Sequence, residues 1–98
     1  MDFENLEDLV IEWAKRKGII PNAKPETILL KLISEIGELS DNLIANKCLK
    51  DSIGDILVCL INFSYSKNLK INECLKIAYE EIKNRDGVLL SNGNFLKG

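Results

Sequence analysis

The chain has 98 residues, with 13 lysines and arginines against 15 acidic residues, and 46% of its residues are hydrophobic. This length and composition fit one soluble globular domain, residues 1–98. The net charge of −2 argues against a nucleic-acid surface, which needs a basic patch, and no apolar run of about eighteen residues could span a membrane.

The first predicted helix covers residues 3–17. Asp2 can cap its start, and Gly18 supplies a stop. Trp13 lies on the apolar stripe of this helix, so it is either a core or interface residue or the edge of a ligand pocket, where it would stack on a base.

Residues 18–24 are predicted to form a loop, and Pro25 suits the first turn of a second helix that ends near residue 45. A third helix follows over residues 49–66, and Asn72 can cap a fourth over 73–84. The Asn92–Gly93 pair between short apolar runs predicts a hairpin-like tail. The fold class is therefore all-α, a four-helix bundle.

The second and third helices are apolar over much of their circumference, which is typical of helices buried on several sides. One chain of this length can hardly bury both. We therefore expect the bundle to be completed by oligomerisation, as a homodimer or homotetramer.

The three cysteines are odd in number and far apart, and the chain has no histidine. A Cys/His zinc site is thus excluded, and so is the commonest general base. Free thiols and the absence of a signal peptide predict a cytoplasmic location. Any hydrolytic chemistry must use carboxylates.

Carboxylates lie beside the apolar faces of the two central helices: Glu35 and Glu38 on the second, Asp51 and Asp55 on the third. At about 100° per residue, each pair falls on one narrow polar stripe, and an antiparallel pair of helices would bring the stripes together. A buried carboxylate is costly unless it is paired or binds a cation. Such a cluster favours a divalent metal, since Mg²⁺ prefers oxygen ligands.

The alternative is a solvated face with ordinary ion pairs, of which Lys31 and Glu35, four residues apart, would be one. Gly37 and Gly54, each beside a candidate ligand, indicate close helix approach or tolerated surface positions. Asn62 continues the second stripe.

The segments KLISEIGEL and DSIGDILVCL resemble the Glu-x-x-Glu and Glu-x-x-Asp helices of the MazG-like all-α nucleoside triphosphate pyrophosphohydrolases. The EWA segment at residues 12–14, the EIKNR-x-G segment at 81–87 and the NG-containing tail are similar to the small phage and Gram-positive branch. The resemblance covers nearly the whole chain. It implies a bacterial cell or a phage-infected host as the setting.

Glu35 and Glu38 match the first motif, and Asp55 matches the final Asp of the second. Ser52 stands where the family has the second motif's Glu, and Asp51 is the candidate replacement. Ser34 stands where many relatives have a further Glu. The site therefore has fewer carboxylates than the fullest family version, which leaves open a weaker metal site, one metal instead of two, or lost catalysis.

The resemblance implies hydrolysis of a (d)NTP to a (d)NMP and pyrophosphate, with Mg²⁺, or alternatively Mn²⁺, as cofactor. Glu35 and Glu38 would be catalytic, orienting or deprotonating the attacking water, and would bind metal together with Asp55 and Asp51. Further substrate contacts are expected from Lys31, Asn62, Tyr79, Lys83, Arg85 and Trp13.

Two other hypotheses stay open. One is a catalytically weak or inactive module of the same fold that binds a nucleotide or a protein partner, which the Ser34 and Ser52 departures allow. The other is a plain oligomeric scaffold, in which the acidic stripes pair with Lys31 and Lys50 between subunits.

Overall fold

The structure is a computed structural model that describes residues 1–97. Its described part contains the helices α1 (Phe3–Arg16), α2 (Ile19–Asn22), α3 (Pro25–Ile44), α4 (Lys50–Ser66) and α5 (Ile71–Ile82). A hairpin of β1 (Gly87–Leu89) and β2 (Phe95–Lys97) follows, with Val88 opposite Leu96 in antiparallel register. The predicted all-α class and the hairpin tail are confirmed.

Asp2 caps α1 as expected, since its side chain accepts a hydrogen bond from the Asn5 backbone N–H at 2.8 Å. The segment that follows α1 differs from the prediction of a loop. Gly18, with a φ of 78°, then turns the chain in a left-handed conformation that favours glycine. The Ala23 N–H donates to the Ile19 carbonyl at 2.8 Å and closes the single distorted turn α2. The bundle therefore has four long helices and one short one.

Helices α3 and α4 form the centre of the fold. Asn42, near the end of α3, contacts Ser52, near the start of α4, whereas Ile28 and Asn62 lie together much farther from the connection. The two helices are therefore antiparallel, and their polar stripes meet as expected. Helix α1 packs against α4, and the buried apolar core consists of Ile11, Ala14, Ile28, Leu32 and Ile61.

Helix α5 begins differently from the prediction, which placed Asn72 as its cap. The helix starts at Ile71, and a buried glutamate of α1 caps it instead. The Glu7 carboxylate accepts hydrogen bonds from the Ile71 N–H at 2.5 Å, the Asn72 N–H at 3.0 Å and the Asn72 side-chain amide at 2.7 Å. The first N–H groups of a helix have no partner within it, and a carboxylate is favourable at that end. Asn72 thus binds the capping group and is not the cap.

Large apolar side chains cover much of the outside of the chain. On α3 these are Leu30, Ile33, Ile36, Leu43 and Ile44, and on α5 they include Leu75, Ile77 and Ile82, all at least half exposed. The Cα radius of gyration is 16.0 Å, compared with about 13 Å for a compact domain of this length. The described chain is therefore less compact than a self-sufficient domain. None of its helices is both long and apolar enough to cross a bilayer.

Candidate functional site

A cavity of about 500 Å³ opens between α3 and α4 and is closed on one side by α1 and the short turn α2. Its volume lies within the range of small-molecule sites, which are mostly apolar with a few placed polar groups. Five residues predicted from the sequence line it: Trp13, Lys31, Glu35, Asp55 and Asn62. The fold therefore gathers residues from three helices around one space.

Glu35 is the buried carboxylate of this cavity, with 7% of its side chain exposed. Its Oε1 lies 3.0 Å from Lys31 Nζ, whereas its Oε2 is buried and has no hydrogen-bond partner within residues 1–97. The hydrogen bond from Lys31, together with its charge, lowers the pKa of Glu35, and the same contact raises the pKa of Lys31. Glu35 is thus ionised, with one oxygen free to accept a further ligand.

Glu38 lies one turn farther along α3 and is exposed. Its pKa is raised, first because its protonated form can hydrogen-bond to the Glu35 carboxylate, and then because the Glu35 charge repels its ionised form. The Asp55 charge acts in the same direction. Glu38 therefore lies beside Glu35 on the same helix, although it does not line the cavity itself.

Ser52 and Asp51 are neighbours on α4 but differ in burial. Ser52 is buried, and its Oγ accepts a hydrogen bond from Asn42 Nδ2 at 2.6 Å. Asp51 is exposed and is not among the cavity residues. The position at which the family's motif has a carboxylate thus faces α3 and carries a neutral hydrogen bond, and the structure does not bring Asp51 to the cavity.

The candidate substrate residues of the C-terminal part lie elsewhere. Tyr79 is 57% exposed and lines a groove between α5 and the start of α1. Lys83 Nζ pairs with Glu80 Oε2 at 2.6 Å, and Arg85 follows α5 in an exposed position. Within the described chain these three residues do not reach the cavity between α3 and α4.

Two polar cavity residues were not predicted. Thr27 precedes Lys31 by four positions on α3, and Cys59 lies four residues after Asp55 and three before Asn62 on α4. Both spacings place these residues on the stripes already identified, so helical periodicity could have found them. Burial is the main cause that raises the pKa of the Cys59 thiol, which keeps it neutral.

Asn62 is a buried polar residue in the wall of the cavity. It is 5% exposed, and its Oδ1 has no hydrogen-bond partner among residues 1–97. Buried polar groups are normally satisfied, and an exception calls for an explanation such as a ligand or a water. Asn62 and Glu35 are the two buried side chains with such an atom, and both face this cavity.

Across residues 1–97, no three acidic or cysteine side chains converge closely enough to make a complete metal site on their own. The donors are nonetheless of the right type, because Glu35 and Asp55 in the cavity wall, and Glu38 three residues after Glu35, offer only carboxylate oxygens. Mg²⁺ is commonly held by one or two carboxylates, several waters and substrate phosphates. The residues present therefore fit a divalent cation that shares its ligands with a substrate.

Comparison with protein-family models gave no match. An uncharacterized 18.2 kDa protein from the rep-hol intergenic region of Haemophilus phage HP1 is 32% identical over 62 residues. That alignment covers 61% of this chain and 38% of the phage protein. The chain thus spans well under half the length of this relative.

A solved structure matches over the whole chain. It is described as a cyanophage S-2L MazG-like pyrophosphohydrolase bound to dGDP and three catalytic Mn²⁺ ions per active site. The TM-score is 0.72 at 19% sequence identity, covering 100% of this chain and 98% of that one. The resemblance seen in the motifs is confirmed at the level of the fold: the chain has the MazG-like all-α fold.

Proposed function

We propose that the protein is a divalent-metal-dependent nucleotide pyrophosphohydrolase that converts a (d)NTP to a (d)NMP and pyrophosphate. The observation that carries the proposal is the buried Glu35 carboxylate in the wall of a nucleotide-sized cavity, with one oxygen that has no hydrogen-bond partner among residues 1–97. The matched fold supports it, because the cyanophage protein is described as binding dGDP and Mn²⁺.

Glu35, Glu38 and Asp55 are the residues that would hold the cation, either Mg²⁺ or Mn²⁺. A bound divalent cation would neutralise phosphate charge and lower the pKa of a coordinated water. Glu35 or Glu38 would also orient the attacking water or accept its proton.

The cavity is polar at two separate ends, which suggests how a nucleotide would lie in it. Asp55 and Asn62 are seven residues apart on one face of α4, about 10 Å along the helix. The carboxylate end suits the phosphates, with their cation. The end with Asn62 suits the base or sugar, and the ring of Trp13, in the same cavity wall, can stack on the base.

The test is a pyrophosphate-release screen over the common ribonucleoside and deoxyribonucleoside triphosphates, with Mg²⁺, with Mn²⁺ and with chelator. We expect release from at least one of them that depends on the metal and stops when the metal is chelated. Nucleotide binding by calorimetry without any release would contradict the enzymatic proposal. It would favour the inactive binding module, which the serine at position 52 and the sparse carboxylates allow.

We also propose that the chain acts as a homodimer or homotetramer. Contiguous apolar patches on monomers rarely exceed a few hundred Å², whereas α3 and α5 both expose several large aliphatic side chains. A second copy would bury this surface. It would also offer a route by which Tyr79, Lys83 and Arg85 could approach a neighbouring cavity.

Light scattering should therefore return a mass of at least twice 11.0 kDa. Ile33→Glu places a charge on the exposed face of α3 and should shift the mass toward that of one chain, because burying an unpaired charge is costly. Asn5→Glu adds the same charge to an exposed position in the first turn of α1 and should leave the mass unchanged. A wild-type protein that is monomeric at high concentration would contradict the proposal.

A further inference from the structure

Lys31 pairs with one of the two oxygens of Glu35, the buried carboxylate that would bind the metal. Its Nζ pairs with Oε1 of Glu35, and the lysine side chain is 62% exposed whereas the glutamate side chain is 7% exposed. The second Glu35 oxygen has no partner. The flexible Lys31 ammonium group therefore satisfies one oxygen of the buried Glu35 carboxylate, and the other oxygen can still accept a ligand.

The contact is of a kind that releases easily. An ion pair with one largely exposed partner contributes little stability, because water competes for the ammonium group and the long side chain loses freedom. A divalent cation interacts more strongly with the same carboxylate, and it repels a neighbouring ammonium group. Both cannot share Glu35 Oε1 at hydrogen-bond distance.

We propose that Lys31 is a displaceable counter-ion of this site. In the absence of metal it neutralises Glu35; when a divalent cation binds, its ammonium group leaves Glu35 and turns to the phosphates of the nucleotide. The lysine already lines the cavity that the nucleotide would occupy, and its exposed stem leaves it free to rotate. This inference rests on the proposed function, since it takes the metal and the nucleotide from there.

This exchange of Lys31 between Glu35 and the phosphates predicts that one substitution strengthens metal binding and weakens substrate binding. Lys31→Met removes the competitor, so Mn²⁺ should bind the nucleotide-free protein about three- to fivefold more tightly. The same variant lacks the phosphate contact, so its KM for the triphosphate should rise, with a smaller change in kcat. A residue that only stabilises the fold would not tighten metal binding.

The experiment titrates Mn²⁺ into the full-length protein without nucleotide and follows free Mn²⁺ by electron paramagnetic resonance. Lys31→Arg keeps a cation and should stay near the wild-type affinity. Lys24→Met is the matched control: Lys24 is the exposed residue immediately before α3, seven positions from Lys31, so it reports the general effect of losing one positive charge. Melting curves without metal show whether each variant is folded.

The outcomes separate the two proposals. If Lys31→Met binds Mn²⁺ no more tightly than the wild type or Lys24→Met does, the exchange is wrong and the proposed function stands. If the wild-type protein binds no Mn²⁺, the metal site and the exchange fail together. Tighter Mn²⁺ binding that is specific to Lys31→Met, joined to a raised KM, supports the exchange.

Discussion

Replacing Glu35 with glutamine should lower the rate of pyrophosphate release by at least about a hundredfold, the range found when a catalytic acid–base or ligand group is lost. The substitution keeps the shape of the side chain but removes the charge on the one buried carboxylate of the cavity. The measurement is kcat/KM for the best substrate of the screen at saturating Mg²⁺ and at saturating Mn²⁺.

Glu26→Gln is the matched control for this substitution. It makes the same chemical change on the same helix, but nine residues away and therefore on the opposite side of α3. Its kcat/KM should stay close to the wild-type value. A Glu35→Gln variant that retains most of its activity would remove Glu35 from the site, whatever the function of the protein.

Replacing Glu7 with alanine should lower the free energy of unfolding by about 2–4 kcal/mol, the cost of leaving buried hydrogen-bond donors without a charged partner. Two backbone N–H groups at the start of α5 and the Asn72 amide all lose their acceptor. For a chain of this length the melting temperature should fall by at least about 10 °C. The melting temperature of Glu7→Gln, which retains one carbonyl acceptor, should lie between those of the wild type and Glu7→Ala.

Asp8→Asn provides the comparison for the neighbouring position. Asp8 forms an ion pair with Lys70, but its side chain is half exposed, so water replaces the contact readily. The melting temperature of Asp8→Asn should therefore fall by only a small fraction of the decrease expected for Glu7→Ala. Equal losses from both substitutions would mean that the contact between α1 and α5 depends on net charge and not on the buried cap.

Local signals in the sequence predicted most of the fold. The Asp2 cap, the stop at Gly18, Pro25 and the Asn92–Gly93 turn each act within a few residues, and all four are confirmed. The start of α5 was missed because its cap comes from Glu7, more than sixty positions away along the chain. Glu7 does share a helix face with Ile11 and Ala14, at spacings of four and seven, which was the available sign of its burial.

The site could be predicted as far as helix periodicity extends. Of the residues on the predicted polar stripes, Lys31, Glu35, Asp55 and Asn62 line one cavity, as the rotation per residue indicates, whereas Glu38 and Asp51 do not. Packing between elements decided the rest. The burial of Ser52 against Asn42 and the position of Tyr79 in another groove depend on how whole helices meet.

Gly37 and Gly54 show the same limit. One interpretation of these residues was close approach between helices. Within residues 1–97, however, no atom of another helix lies within 4 Å of a Cβ added at either position. Both are exposed positions. Within one chain they are tolerated surface glycines.

Helix α1 carries both the buried Glu7 cap and Trp13 in the cavity wall, six residues apart. A helix of this length moves as one body, so the two contacts are mechanically joined. We therefore expect that opening the junction with α5 also loosens the wall of the cavity, so that the two open together in local unfolding. A ligand that stacks on Trp13 would, by the same linkage, protect the amide hydrogens at the start of α5 from exchange.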